Sequence, residues 1–208
     1  GMNLKATIFK KHVLYSQLIL DEFLLKEIRA SQGWWANKYG FQLGYKCFDI
    51  FKLKGLGVQL EYNRVRPFTY SHVSSLQNYG NANQSLAHPL ESNFSEILTR
   101  LLFQKDNFSC QLTYAYQQHG GNTFGNYGGD MFSSYSTRMG DYNHSVLQGD
   151  LIQQHYLGLN LSYLLIAKSN TAFFSRLDFR NYLTLQKENN LLFSMGIRSN
   201  IWNTYLDY

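Results

Sequence analysis

Charged residues are scarce in this 208-residue chain: they make up 16% of it, against about 25% in an ordinary soluble domain. Disordered chains are charged and poor in aromatic residues, so the equal 16% share of Phe, Trp and Tyr excludes that class. The 44% hydrophobic content is enough for one core. The leading Gly1-Met2 resembles a tag remnant, and we therefore expect residues 1–208 to form a single domain of a longer precursor.

Other features are missing too, and each absence excludes a class of protein. No apolar run approaches the roughly 18–20 residues that a membrane-spanning helix requires. The net charge of +5 is dispersed, with Lys10-Lys11 as the only adjacent basic pair, which argues against a nucleic-acid partner. Cys47 and Cys110 do not have the CxxC spacing of a zinc site. They are either two small buried residues or the two halves of a disulfide.

Apolar and polar side chains alternate with a period of two along most of the chain, which is typical of β-strands with two different faces. In the segment 38–47, one face carries Tyr39, Phe41, Leu43, Tyr45 and Cys47, and the other carries Lys38, Gly40, Gln42, Gly44 and Lys46. A short helical turn competes with this pattern only at residues 20–28. The alternation predicts about eight strands, at 37–47, 56–63, 108–117, 157–165, 173–180 and 191–201, with weaker candidates at 13–23 and 97–104.

The connections between these strands differ in length. Four are short, at 49–54, 104–107, 167–170 and 186–190, and three are long, at 24–36, 66–95 and 118–149. If successive strands alternate in direction, the long loops all emerge at one end, and three of the short connections and both chain termini lie at the other. The short 186–190 turn is the exception, because it lies at the long-loop end. Short turns at one end and long loops at the other are typical of outer-membrane barrels.

The composition of the polar faces decides which side of the strands is expected to face inward. Glycines and amides dominate these faces, whereas the surfaces of soluble proteins favour Lys and Glu. Charges of both signs lie close together, which suits a crowded polar lumen, and tyrosines lie near the ends of the apolar rows, where a membrane interface needs them. The residues predicted to form the lumen charge network are Glu61, Arg176, Asp178 and Arg180.

The predicted fold is therefore an all-β, antiparallel up-and-down β-barrel of the outer-membrane type, either complete or part of a larger barrel. The alternatives are a soluble lipocalin-like carrier, in which the apolar faces line a ligand cavity, and a passive outer-membrane pore. The chain ends on Ile201–Tyr208, and a last strand closing on an aromatic residue resembles the signature that the barrel assembly machinery recognises. That machinery is thus an expected partner during biogenesis.

The densest group of polar and aromatic residues lies at residues 61–72 and continues to residue 90. Both prolines, Pro67 and Pro89, lie in this stretch, with aromatic rings, amides and two histidines between them. Rings that stack on sugar faces and amides that bind hydroxyl groups suit a carbohydrate ligand. The alternative is a loop that folds over the barrel mouth with its polar groups paired internally.

Enzymatic and metal-dependent functions are not predicted. Asp21, Glu22 and Glu61 supply carboxylates, but nothing in the sequence places a pair of them as a glycosidase requires, and carboxylates in a barrel wall are expected to pair with lumen arginines such as Arg64 and Arg66. The glycine-rich segment 120–129 is interpreted as a flexible loop, because no phosphate-binding motif surrounds it. No cofactor is expected, and the loop histidines follow no metal-site spacing; they are His72, His88, His119 and His144.

Four segments taken in order resemble the C-terminal part of the Wzi-type capsule assembly proteins, and within them the Bacteroidetes branch of RemB-like gliding-motility proteins. They are YSQLILDEF from Tyr15, GWWANKYG from Gly33, EYNRVRPFTYSH from Glu61 and NQSLAHPLESNF from Asn83. The resemblance implies a bacterial outer-membrane barrel that contacts outer-membrane lipid and attaches surface polysaccharide in a lectin-like way, without known catalysis. It also implies more strands than this chain supplies. The polysaccharide contacts expected on these grounds are Trp34, Trp35, Arg64, Arg66, Tyr70, His72, Asn83 and His88.

Overall fold

The fold is all-β, as seen in a computed structural model that describes residues 1–184 and 186–199. Nine strands form one antiparallel sheet in which each strand pairs with its neighbours along the chain. These strands are β1 (Met2–Ile8), β2 (His12–Glu22), β3 (Lys38–Phe48), β4 (Leu56–Val65), β7 (Phe94–Lys105), β8 (Phe108–Gly121), β9 (Asp150–Ile166), β10 (Thr171–Leu183) and β11 (Lys187–Arg198). Two short strands, β5 (Gly80–Asn81) and β6 (Gln84–Ser85), form a separate hairpin.

All eight predicted strands are present, and β1 is an additional one. The prediction missed β1 because MNLKATI alternates weakly and its side chains are almost all exposed, so it carries little two-faced pattern. β1 pairs antiparallel with β2 from Met2 opposite Leu18 to Ile8 opposite His12. The N-terminus therefore lies towards the long-loop end, not at the short-turn end as predicted. The predicted C-terminal assembly signature, Ile201–Tyr208, lies outside the described residues.

The sheet is open between β1 and β11, which each pair on one side only in the described part of the chain. The antiparallel up-and-down order of the predicted fold is confirmed, whereas its closure into a barrel is not. Because nine strands alternate in direction along the sheet, β1 and β11 run in the same direction.

The sheet buries its polar face and exposes its apolar face, which is the reverse of the arrangement in soluble proteins. Polar side chains are nearly inaccessible on one face, where Asn63 is 4% exposed and Glu96 and Asp178 are each 6% exposed. On the other face, Leu43 is 54%, Phe193 58% and Ile197 70% exposed. These are the two faces that the alternating pattern separates. The apolar rows therefore point outward and the polar rows point inward.

Glycines on the inward face leave room for aromatic rings from the neighbouring strand. Gly44 pairs with Tyr15, whose ring lies directly over the glycine, so a side chain at position 44 would overlap it. Gly196 pairs with Phe174, whose ring would lie 3.2 Å from a side chain at position 196. At these two positions glycine makes room for a ring from the neighbouring strand.

The three long connections fold together into one unit at the end of the sheet, which we call the loop cap (residues 23–37, 66–93 and 122–149). Backbone hydrogen bonds join its parts: Trp35 N donates to Asp141 O at 2.9 Å, and Phe68 N donates to Gly128 O at 3.0 Å. The only cluster of buried apolar residues in the described chain lies here, where the cap meets the inward face of the sheet. It comprises Val65, Tyr70, Phe94 and Met131.

The interpretation of segment 120–129 as a flexible loop is wrong. Gly120, Gly121, Gly128 and Gly129 are all buried. Gly128 has a positive φ of 75°, and a side chain there would lie 2.5 Å from the Phe68 backbone nitrogen. Glycine is needed at this position for close approach of two backbones rather than for mobility.

The single α-helix of the described residues, α1 (Leu25–Ala30), begins inside the segment where the sequence allowed a helical turn. Its apolar side chains Leu25 and Ile28 are exposed. None of the described helices has the length and apolar character needed to cross a membrane. Cys47 is buried and Cys110 is half-buried, and both are free thiols, so the alternative of a disulfide is not realised.

Asn93 joins the second and third parts of the loop cap to the end of β8 and is fully buried. Its Nδ2 donates to Gly120 O at 3.0 Å and to Gln148 O at 2.9 Å, and its Oδ1 accepts from Leu147 N at 2.7 Å. We expect Asn93→Ala to destabilise the cap by about 1–3 kcal/mol, because the buried partner groups lose their hydrogen bonds. Hydrogen exchange of the cap amides measures this effect.

The matched control for this substitution is Asn143→Ala. Asn143 lies in the same cap with a similar positive φ, 65° against 57° for Asn93, but it is exposed and contributes only its backbone to the hydrogen bonds of the described residues. Equal effects of the two substitutions would show that backbone conformation, rather than the Asn93 side chain, holds the cap together.

Candidate functional site

The predicted contact residues fall into four places in the structure. Tyr70 and His88 lie in a cleft under the loop cap. Trp34 and Trp35 lie within the cap. Arg64 and Arg66 lie on the outward side of the sheet, while His72 and Asn83 occupy separate positions in the second long connection.

The cleft has a volume of about 240 Å³ and opens between the inward face of the sheet and the loop cap. Tyr70 and Tyr79 form one of its walls, with ring centroids 5.9 Å apart and planes inclined by 32°. Amides line the opposite side, contributed by Gln17, Gln42 and Asn63. The cleft thus offers aromatic faces together with amide donors and acceptors, which is the chemistry that the sequence suggested for a sugar ligand.

The Tyr70 hydroxyl is kept protonated by its surroundings. The residue is almost entirely buried, and burial, together with the nearby Asp21 carboxylate, raises the pKa of Tyr70 to about 12. A phenol with such a pKa remains a hydrogen-bond donor across the physiological pH range.

His88 is held in one orientation at the edge of the cleft. Its ring stacks on Phe94 with centroids 4.4 Å apart. The Leu90 backbone N–H donates to Nδ1 at 3.1 Å, which leaves Nε2 to donate to Glu96 Oε2, also at 3.1 Å. Both ring nitrogens therefore already have partners, and His88 contributes its ring and its position rather than a free donor.

Below the cleft, two carboxylates share one amide. Asn63 Nδ2 donates to Glu61 Oε1 at 2.9 Å and to Glu96 Oε2 at 2.8 Å. Tyr15 donates to Glu61 at 2.6 Å, and Gln117 donates to Glu96 at 2.6 Å. The inward face thus satisfies its buried carboxylates mainly with amides and hydroxyls.

The predicted lumen charge network is divided into two groups rather than one. Glu61 belongs to the amide network on β4, while Arg176, Asp178 and Arg180 lie on β10, with three strands between the two. There Arg176 Nε contacts Asp178 Oδ2 at 2.7 Å, and the Tyr156 hydroxyl donates to the same carboxylate. The Arg180 guanidinium lies 5.7 Å from the centroid of the Tyr156 ring.

Trp35 is covered by other side chains within the cap. The Arg138 guanidinium lies 4.2 Å from its ring centroid, and the Tyr135 ring lies 4.7 Å away. Arg138 is itself held by Asp141. Trp34 is half-buried beside Trp35, with ring centroids 6.3 Å apart. Trp35 therefore packs the cap and does not present an open face for stacking on a sugar.

Lys38 is fully buried and joins β2 to the cap. Its Nζ donates to Ser71 O at 3.1 Å, lies 3.5 Å from Glu22 and 4.0 Å from Asp21, and lies 4.3 Å from the centroid of the Tyr135 ring. The carboxylates of Asp21 and Glu22 thus neutralise a buried amine, as structural ion pairs do.

The expectation that Arg64 and Arg66 pair with lumen carboxylates is wrong. Arg64 follows Leu60 and Tyr62 on the outward row of β4, because residues two apart in a strand share a face. Arg66 Nη2 donates to Trp34 O and to His144 O, each at 3.3 Å, and its guanidinium lies 5.6 Å from the centroid of the Tyr39 ring. The inward carboxylates face the other side of the sheet.

His72 and Asn83 have structural roles in the loops. The His72 backbone N–H donates to Asn78 Oδ1 at 2.7 Å, and its ring lies 6.5 Å from the Tyr135 ring. Asn83 lies with Ala82 at the turn of the β5–β6 hairpin, with φ values of 59° and 49°. Asn tolerates this left-handed conformation, so its role here is that of a turn residue.

The described residues contain no group of three or more His, Cys, Asp or Glu side chains arranged to hold a metal ion. The four predicted histidines have different surroundings, and His119 lies in β8 rather than in a loop. His119 Nε2 lies 3.2 Å from Gly129 O, and His144 Nε2 lies 2.8 Å from Gly140 O. Glu91 is a half-buried carboxyl, whose pKa is raised by desolvation although the Met131 N–H donates to it.

The sequence did not predict that Tyr79, Tyr135 and Arg138 lie against the predicted contact residues. Tyr79 and Tyr135 lie in loops without periodicity, so no spacing rule relates them to Tyr70 or Trp35.

Comparison of the chain with protein families, with curated proteins and with solved structures finds no match.

Proposed function

We propose that this chain is part of the wall of an outer-membrane β-barrel and that its loop cap holds cell-surface polysaccharide without catalysis. The observation that carries the proposal is the reversed burial of the sheet: apolar rows are exposed outward and polar rows are buried inward. Membrane barrels have this arrangement because lipid surrounds them and water fills or faces the interior. The soluble carrier requires the opposite, with apolar side chains lining the cavity.

The number of strands favours a wall that is larger than the nine described strands. Single-chain bacterial barrels have an even number of antiparallel strands. Pairing β1 directly with β11 would create a parallel seam, because the two run in the same direction. We therefore propose that an odd number of further strands, or a second sheet, completes the wall.

The cleft between Tyr70, Tyr79 and the amides of the inward face supplies the polysaccharide site. It combines ring faces and hydrogen-bond donors at the end where the long loops gather, which in a barrel of this type is the extracellular end. The folded cap over this end is less compatible with a passive pore. The resemblance to Wzi-type and RemB-like proteins leads us to propose that the site attaches capsule or exopolysaccharide. In the RemB-like form of this proposal, the attachment serves gliding.

Tyr79 is the best probe of this site because it is 51% exposed and is not part of the buried cluster. We expect Tyr79→Ala to weaken polysaccharide binding about 2- to 10-fold, the contribution of one aromatic stacking contact. The measurement is retention of fluorescently labelled polysaccharide by cells that express the full-length protein, after a glycan array has identified the ligand.

Leu76→Ala is the control for Tyr79→Ala. Leu76 lies in the same connection, is 94% exposed and does not line the cleft. Retention that is unchanged in Tyr79→Ala, or lowered equally in both variants, would exclude the cleft as the polysaccharide site.

A further inference from the structure

A second cavity lies on the opposite side of the sheet from the cleft, below the loop cap. It has a volume of about 480 Å³. Its floor is formed by Arg64 at the end of β4, by Arg66 just after that strand, and by Tyr39 and Phe41 of β3. Its other walls come from two parts of the cap: Glu27, Ile28 and Ser31 in and after α1, and His144, Ser145 and Val146 in the third long connection.

The two arginines of this cavity have unused hydrogen-bonding capacity. Arg66 commits Nη2 to two backbone carbonyls, but its Nε is buried without a hydrogen-bond partner. Arg64 is exposed. Among the described residues, neither has a carboxylate within 4.0 Å, although Glu27 lines the same cavity. A buried donor without a partner is unfavourable, so the cavity is suited to an acceptor from outside the chain.

The position of the cavity restricts what that acceptor is. Arg64 continues the outward apolar row of Leu60 and Tyr62, and it stands at the end of that row nearest the loop cap. A charged side chain on the lipid-facing surface is tolerated near the interface but not at the middle of the bilayer. The exposed apolar side chains of α1 lie beside the cavity, so apolar and cationic groups lie together near the expected membrane interface.

We infer that this cavity binds the phosphate group of an outer-leaflet lipid headgroup. Guanidinium groups match phosphate oxygens in a planar, bidentate geometry. Tyr39 and Phe41 provide the aromatic surroundings that are typical of the membrane interface. The inference rests on the proposed outward orientation of the apolar face, and it adds a lipid ligand that is separate from the polysaccharide cleft.

The test uses the full-length protein in detergent, with lipid A as the phosphorylated probe and dephosphorylated lipid A as its neutral counterpart. We expect lipid A to bind more tightly than the neutral form, and we expect Arg64→Gln to weaken lipid A binding about tenfold through the loss of a charge-assisted contact. Arg64→Gln is preferred to Arg66→Gln because Arg66 also supports the cap backbone. Arg180→Gln, on the inward face, is the control and should leave lipid binding unchanged.

Equal binding of the two lipids, or unchanged binding by Arg64→Gln, would overturn the inference. Saturation of the site by inorganic phosphate with no preference for the lipid would do the same, because it would indicate a free anion. Insertion into phosphatidylcholine vesicles separates this failure from failure of the proposed function. A protein that inserts but has no phosphate preference contradicts only the lipid site, whereas a protein that enters no vesicle contradicts both.

Discussion

Replacing Phe94 with alanine should open the loop cap while the strands of the sheet remain paired. Phe94 is fully buried at the start of β7, between Val65, Tyr70 and Met131, and its ring stacks on His88. Because this cluster is the apolar core of the cap, the substitution removes a large ring from a site with few neighbours to refill it. We expect a loss of about 3–5 kcal/mol in cap stability.

The effect is measured by hydrogen exchange at the amides that hold the cap, such as Phe68 N–H, which donates to Gly128 O. Ile97→Ala is the control, since Ile97 lies on the same strand but points outward and is 48% exposed. It should leave exchange in the cap unchanged. Slow exchange in the Phe94→Ala cap would show that its hydrogen bonds, rather than this core, keep the loops together.

The second large effect concerns the two faces of β8. Leu112 belongs to its outward row, opposite Leu101 and Leu159, and its neighbour Gln111 belongs to the inward row. In lipid vesicles, we expect Leu112→Arg to lower the free energy of unfolding by about 2–4 kcal/mol, as a cation does when it faces the bilayer midplane. Gln111→Arg should have little effect, because its side chain lies on the inward face, beside a cavity that Gln59 and Asn160 also line.

The two variants are compared by urea titration in the same phosphatidylcholine vesicles. They differ by one position in the chain and carry the same new side chain, so strand propensity and net charge are matched. A larger effect of Gln111→Arg than of Leu112→Arg would reverse the assignment of the faces. It would favour the soluble carrier, in which the apolar rows line an interior cavity.

The resemblance to Wzi-type proteins remains a proposal, because it depends on segments of the sequence rather than on any comparison of whole proteins. The structure shows only which of the predicted contact residues lie together. Tyr70 and His88 do meet in one cleft, but Trp35 is covered by Arg138 and Tyr135, and Asn83 forms a hairpin turn. The site that results is smaller than the predicted one, and Tyr79 and Asn63 belong to it.

The sequence by itself determined eight of the nine described strands of the sheet, their antiparallel order and the division of side chains between two faces. These properties are local: a strand places residues two apart on the same side, so the alternation of Leu43 with Gly44 and of Leu112 with Gln111 can be recognised without knowing the fold. The same two-residue period places Arg64 on the outward face with Leu60. The predicted pairing of Arg64 with lumen carboxylates was therefore inconsistent with the alternation itself.

Only the tertiary structure decided how the long loops fold and which of their residues meet. The contacts of Asn93 with Leu147 and of Phe68 with Gly128 join residues that are far apart in the chain. They depend on the second and third long connections packing together at the end of the sheet. The loop residues have no periodic pattern, so their partners are set by steric fit and by the pairing of buried polar groups.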